Sequence, residues 1–427
     1  MDVQSVYELF VACDGVTTDS RNCPNNSLFI ALKGVSFNGN KFAADAVAKG
    51  CKYALVDEEE YADGKQLFLV DDCLKMLQKL ANYHRRYLNL PILGITGTNG
   101  KTTTKELVSA VLSKKYNLLY TQGNLNNQIG VPLTLLRLTS SHEMAVVEMG
   151  ASHPGDIKEL VDIAEPNFGL ITNVGHAHIL GFGSFEGVVK TKGELYDFIR
   201  SKSGKIFLNC NNSILCSIAH GIDYIPYGTD FSCYVSARSL GAAPFLKVRW
   251  GSREISTNLI GEYNFENVLA AICVGAYFDV PADDIVAALS TYVPSNNRSQ
   301  FKKCGSNNLI IDAYNANPTS MMAALENFDK MTCTGKRVLV LGDMKELGVD
   351  SDMEHLNVIK WISARSYDQV FLVGACFKKA ADGKYTVFEN VAKLCEHLRG
   401  AAVSNANVLI KGSNSTKLIE CVDCFDV

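Results

Sequence analysis

The chain has 427 residues, enough at roughly 150 residues per domain for two or three domains and too many for one small binding module. Its 47% hydrophobic and 20% charged composition excludes a disordered or low-complexity chain. Lys plus Arg total 41 against 45 Asp plus Glu, a net charge of −4; no basic excess is present to meet a long nucleic acid, although one cleft suffices for a small anion.

The first segment, residues 1–90, opens on Met1-Asp2-Val3-Gln4, which lacks the positive n-region of a secretory signal, so the expected compartment is the cytoplasm. It reads as short strands at 27–32, 53–56 and 67–70. A helix follows over 72–87, with Leu74, Leu77, Leu80, Ala81 and His84 on one face. The second segment, 91–295, alternates apolar runs with helical periodicity, the pattern of βα units around a mainly parallel sheet. Its strand candidates include 92–96, 144–148, 168–172 and 205–208, and its longest uncharged apolar run, 268–278, is far short of the roughly 20 residues of a membrane-spanning helix. The third segment, 296–427, restarts the alternation at 308–311, 337–341, 370–373 and 407–410. Each of these runs stops at a polar residue or Gly, and strand C-termini are where open α/β sheets bind ligands. The fourteen cysteines are scattered and read as reduced thiols. Cys421-x-x-Cys424 has no further ligands to complete a zinc site and reads as part of a frayed C-terminus.

The strongest local signal is Gly97-Thr98-Asn99-Gly100-Lys101-Thr102-Thr103, between an apolar strand and a helical stretch at 104–112. A glycine turn, a lysine and a hydroxyl at a helix N-terminus form a nucleotide phosphate cradle: backbone N–H groups face the anion, Lys101 reaches the terminal phosphates, and Thr102 offers a hydroxyl to Mg²⁺. The general eight-position pattern would have Gly where this chain has Ile95, so the short form is the one present. Glu148, at the end of the run Val146-Val147-Glu148, is a candidate Mg²⁺ ligand or a solvated strand end. His176 and His178 end another strand and are either structural or ligands. Lys190 and Lys192 sit on a predicted helix, where a solvated charged face is the competing reading. Asn264 or Asn267 is a candidate helix N-cap.

With these motifs in view, the chain resembles the Mur ligase family over nearly its whole length. The ordered matches are Thr18-Asp19-Ser20-Arg21, Phe29 to Gly34, Phe37-Asn38-Gly39, Gly97 to Thr103, and Gly123 to Asn127 with Gly130-Val131-Pro132. They continue with Glu148-Met149-Gly150, Asn173 to His178, Lys192-Gly193-Glu194, Asn264 with Asn267, and Asn297-Arg298. Asp312-Ala313-Tyr314-Asn315-Ala316-Asn317-Pro318, Leu341 to Gly348 and Lys411-Gly412-Ser413 complete the set. The resemblance implies an α/β chain of three domains: a small UDP-substrate-binding domain (1–90), a central P-loop-type ATPase domain (91–295) and a C-terminal Rossmann-like domain (296–427).

The implied reaction joins D-Ala-D-Ala to UDP-N-acetylmuramoyl-tripeptide with ATP and Mg²⁺, through an acyl phosphate, in peptidoglycan precursor synthesis. A monomer is expected, although the sequence itself does not fix the oligomeric state. Residues 97–103 would hold the ATP phosphates, with Thr102 and Glu148 on one Mg²⁺, and His176 with a carbamylated Lys192 on a second. Asn267 would face adenine, Asp312 the ribose and Arg298 the phosphates; Ser20 and Arg21, at the UDP end, and Asn315 would bind substrate. Lys101, Lys192, His176 and Glu148 are the implied catalytic set. Two positions depart from the family pattern: Tyr263 stands where His is usual, and Asn414 where Arg is usual. The Asp-Asn-Pro-Arg signature of the diamino-acid-adding ligases is absent. A folylpolyglutamate synthetase would lack a segment like 1–90, and a nucleotide switch would have no need of Lys192. The third residue of the acceptor peptide stays open between diaminopimelate and lysine.

Overall fold

The structure is a computed structural model that describes residues 1–175, 179–295, 297–331 and 335–426. Its strands build three main sheets, and the chain is α/β. The first sheet is parallel throughout, in the order Gly15–Thr17, Ser27–Ile30, Tyr53–Val56, Leu67–Leu69. The predicted helix forms over Cys73–Leu88, where Asp72 caps it by accepting from the Lys75 amide at 2.9 Å. Two short helices that the apolar pattern does not announce, Val3–Val11 and Ala43–Ala48, complete this part.

The second sheet has nine strands. Parallel pairing runs from Leu118–Tyr120 through Met144–Glu148, Ile92–Thr96, Phe168–Ile171, Lys205–Asn209 and Asp223–Gly228 to Val235–Ala242. From there the strands Val235–Ala242, Phe245–Trp250 and Arg253–Ile260 form an antiparallel meander that the segment's βα reading did not include. The third sheet orders Gln300–Cys304, Asn307–Asp312, Ala406–Lys411, Lys336–Gly342, Gln369–Val373 and Thr386–Phe388, and all but its first pair are parallel.

Packing follows side-chain alternation. In the third sheet Val338 and Val340 enter the core on one face, Leu339 and Leu341 that on the other. One hydrophobic core joins the first sheet to one face of the second, from Val6, Leu28 and Leu80 to Val147 and Leu195. The buried Arg85 guanidinium crosses the same boundary, donating to the carbonyls of Ala164 at 3.0 Å and Glu165 at 2.8 Å. On the opposite face of the second sheet, Lys101–Leu112 packs against Phe265–Tyr277 through Leu107, Val108, Val111, Val268 and Ile272. The C-terminus is docked where fraying was expected: Leu418–Phe425 is a 3-10 helix whose Cys421 and Phe425 are fully buried. Every cysteine among the described residues is a free thiol.

Candidate active site

The phosphate loop leaves the strand Ile92–Thr96 and turns directly into the helix Lys101–Leu112, which starts three residues earlier than periodicity suggests. Glycine makes this possible: Gly97 and Gly100 have φ of +144° and +78°, and a Cβ would lie 2.0 Å from Thr172 Oγ1 and 2.6 Å from Asn267 Oδ1 respectively. Asn173 clamps the loop from the neighbouring strand end. Its Oδ1 accepts from the Asn99 amide and its Nδ2 donates to the Asn99 carbonyl, both at 3.0 Å. Thr98 holds the same strand end, its Oγ1 accepting from the Gly175 amide at 3.0 Å.

Lys101 Nζ folds back onto the carbonyls of Gly97 and Thr98, at 2.8 and 3.0 Å. Burial lowers its pKa to about 8, against the attraction of Glu148 and with the repulsion of Arg298. Glu148 is 1% exposed, which excludes the solvated reading. Its Oε1 accepts from Thr102 Oγ1 at 3.1 Å and Asn126 Nδ2 at 2.8 Å, whereas its Oε2 is buried with no partner among the described residues. A buried, half-satisfied carboxylate beside a hydroxyl and a phosphate loop is a donor set that fits Mg²⁺, a hard cation taking few protein ligands.

Lys192 lies in the helix Phe185–Ser201 and is 2% exposed, whereas Lys190 is exposed; the solvated face therefore holds for Lys190 alone. Burial, followed by repulsion from Lys101, lowers the Lys192 pKa to about 7 against Asp156 and Glu194. Among the described residues its amine has one hydrogen bond, a long one to the Ala151 carbonyl at 3.5 Å. His176 and His178 lie outside the described residues.

Lys101, Thr102 and Glu148 face a cavity of about 910 Å³ between the second and third sheets. Thr98 to Thr103, Glu148, Asn267, Arg298, Asp312 and Asn315 all line it; Gly97 and Lys192 lie behind this lining. Ser20 and Arg21 are elsewhere: no described residue before Thr98 reaches the cavity, and Arg21 is exposed, paired with Asp19 at 2.9 Å. Asn267 accepts from Thr104 Oγ1 at 3.0 Å and donates to Asn264 Oδ1 at 2.9 Å. Arg298 stacks on Tyr314, its guanidinium carbon 3.9 Å from the ring centre.

Two contacts at the cavity's margin emerge only in three dimensions. Lys411, 1% exposed, pairs with Asp312 at 2.5 Å; the signal in the sequence was a lysine ending an otherwise apolar strand. Asn317 Nδ2 donates to Asn99 Oδ1 at 2.8 Å, joining the third segment to the phosphate loop. Tyr263 lines the cavity, while Asn414 is exposed in a 3-10 turn. The described residues also contain a cluster of Asp343, His355 and Cys376. Both imidazole nitrogens of His355 are engaged there, Nε2 accepting from the Met344 amide at 3.0 Å and Nδ1 meeting the Ser351 carbonyl at 2.6 Å, so the cluster is a buried hydrogen-bond network.

A nucleotide phosphate loop, a half-satisfied buried carboxylate and a second α/β layer closing over them define a nucleotide-dependent transferase or ligase site. Comparison with known proteins narrows the class. Residues 13–85 match the Mur ligase family catalytic domain, 95–275 the Mur ligase middle domain, and 297–414 the Mur ligase glutamate ligase domain. The UDP-N-acetylmuramoyl-tripeptide–D-alanyl-D-alanine ligase of Bacillus subtilis (strain 168) is 35% identical over 423 residues, covering 96% of this chain and 92% of that protein. The enzyme of the same name from Escherichia coli (strain K12) is 35% identical over 426 residues, with 96% and 93% covered. The crystal structure of MurF from Acinetobacter baumannii superposes with a TM-score of 0.87 at 29% identity, over 99% of this chain and 98% of that one. The chain belongs to the Mur ligase family, and is accordingly an ATP-dependent, ADP-forming amide ligase.

Proposed function

We propose that the chain joins D-Ala-D-Ala to UDP-N-acetylmuramoyl-tripeptide in peptidoglycan precursor synthesis. The observation that carries this reading is the cavity itself: phosphate loop, Lys101 and Glu148 on one wall, Arg298 and Asn315 on the other, in a chain matching ligases of that name along nearly their full length. Amide formation from a free carboxylate is unfavourable in water. The tripeptide carboxylate therefore attacks the γ-phosphorus of ATP, ADP leaves, and the amine of D-Ala-D-Ala displaces phosphate from the acyl carbon.

Within that reaction Lys101 balances charge building on the transferred phosphoryl group, and the loop amides hold the phosphates. Asn267 faces the adenine, Asp312, pinned by Lys411, the ribose, and Arg298 the phosphates. Thr102 and Glu148 would hold one Mg²⁺, and Lys192 as its carbamate, with His176, a second; the ions would supply positive charge to the phosphate oxygens. Carbamylation is supported by the buried, weakly bonded Lys192 amine, whose lowered pKa of about 7 leaves it free to add CO₂. Ser20 and Arg21 bind the UDP end, outside the cavity. The three segments 1–90, 91–295 and 296–427 act as substrate, ATPase and closing domains. A monomer acting in the cytoplasm is part of this reading; no helix among the described residues is long and apolar enough to cross a membrane.

The test is phosphate release and amide formation measured with each UDP-linked peptide, with and without D-Ala-D-Ala. Turnover should require the tripeptide, and the amide should appear only with D-Ala-D-Ala present. Efficient addition of lysine or diaminopimelate to the UDP-dipeptide would overturn the assignment.

A further inference from the structure

We propose that Tyr263 is a positioning residue that latches the link between the second and third segments, and so sets Arg298 over the nucleotide phosphates. The proposal rests on the reading of Arg298 given above. Arg298 sits in the stretch leading from the helix Ala282–Thr291 to the strand Gln300–Cys304. Asn297 and Ser299, on either side of it, have φ of +57° and +50°. Neither is glycine, so this left-handed backbone persists only where surrounding contacts hold it.

Three contacts do so. The Asn297 carbonyl accepts from the Ala313 amide at 3.1 Å, and Arg298 stacks on Tyr314; both partners belong to the third segment. From the second segment comes Tyr263, whose hydroxyl is 2.8 Å from the hydroxyl of the buried Ser299. The ring reaches that position by lying against the Gly261 backbone, where a Cβ would stand 2.3 Å from Tyr263 Cε1. Tyr263 lies in the 3-10 turn Glu262–Asn264 that leads into the helix Phe265–Tyr277, which carries Asn267. The latch therefore ties the wall assigned to adenine to the guanidinium assigned to the phosphates.

The experiment compares Tyr263→Phe, Ser299→Ala, their double variant, Arg298→Ala and Tyr263→Phe/Arg298→Ala in the full-length enzyme. Steady-state ligation and calorimetric affinities for ATP and AMP are measured for each. Tyr263→Phe and Ser299→Ala should each lower kcat about tenfold, the scale of one lost positioning hydrogen bond, with KM for the tripeptide and D-Ala-D-Ala unchanged. Their double variant should be no worse than either alone. ATP affinity should fall while AMP affinity holds, and Tyr263→Phe should add nothing to the ATP defect of Arg298→Ala. Wild-type kcat in Tyr263→Phe beside an impaired Arg298→Ala would overturn the latch alone. Additive ATP defects, or equal losses for AMP and ATP, would likewise overturn it and make Tyr263 a wall of the base pocket. Full turnover and ATP affinity in Arg298→Ala would overturn the assignment of Arg298 first, and the latch with it.

Discussion

In the proposed mechanism the half-buried Lys101 and the buried Lys192 take opposite roles for the same physical reason, that a charge taken out of water must be used or lost. Lys101 keeps its charge near the phosphate loop, and removing it deletes a transition-state contact; Lys101→Ala should lower kcat by roughly 10²-fold or more, and near wild-type turnover would refute its role. Lys192 instead loses its proton. Its pKa is about 7 in the folded state against 10.5 as the reference value, so folding carries the full burial penalty below pH 7, where both states are protonated. Stability should rise as pH climbs from about 7 toward 10.5, because the unfolded chain then binds the extra proton. Lys192→Met, in CO₂-depleted buffer with a chelator, should accordingly have a higher Tm than the wild type below pH 7, an advantage that fades by pH 10.5. A Tm difference that ignores pH would place the ammonium in a hydrated setting. The same variant should be inactive.

Helix ends carry much of the site's geometry. Asn317 caps Pro318–Lys330 in a capping box with Ser320, and its amide nitrogen reaches Asn99 in the phosphate loop. One side chain thus serves both a helix and a contact between segments. Asn317→Ala should cost about 1–2 kcal/mol in denaturant unfolding from loss of the cap, and should reduce ligation beyond what that stability loss explains. Asn317→Ser, which retains a capping oxygen, should recover the stability but not the ligation. Recovery of both by Ser would confine Asn317 to capping. Glu194 works similarly from the helix Phe185–Ser201, its carboxylate accepting from the Gly155 amide at 3.0 Å and the Lys158 amide at 2.8 Å at the start of Asp156–Ala164. The motif Lys192-Gly193-Glu194 therefore holds a buried amine and a helix start from a single turn of one element.

Across the whole molecule, stability rests on packed cores and no disulfide among the described residues. Reducing agent should leave Tm and activity unchanged, checked by calorimetry with and without dithiothreitol; a marked fall in Tm would reveal a cross-link. The first sheet shares its core with the second; the third meets the second across the cavity, through Asn317 with Asn99 and Tyr263 with Ser299, and beside it through Ile260, which enters a core of the third sheet, and Phe245, whose ring lies 5.6 Å from that of Phe301.

What the sequence alone determined is local or repetitive. Strand ends at Thr96, Glu148, Asp312 and Lys411, the phosphate loop and the amphipathic helix after Asp72 follow from short-range sterics, capping and periodicity, which neighbouring residues settle among themselves. The order of the motifs extended that to a family resemblance. Tertiary structure decided what periodicity cannot encode. Lys190 and Lys192 are two residues apart on one helix, yet only packing shows that one is in solvent and the other beneath Ala151. Lys411 looks like the polar end of a strand until Asp312 is brought beside it. The meander at the edge of the second sheet, the docked C-terminal turn and the Tyr263 to Ser299 contact all depend on pairings between residues distant in the chain. Their free energy comes from surfaces that exist only once the sheets have assembled, so no window of sequence contains it.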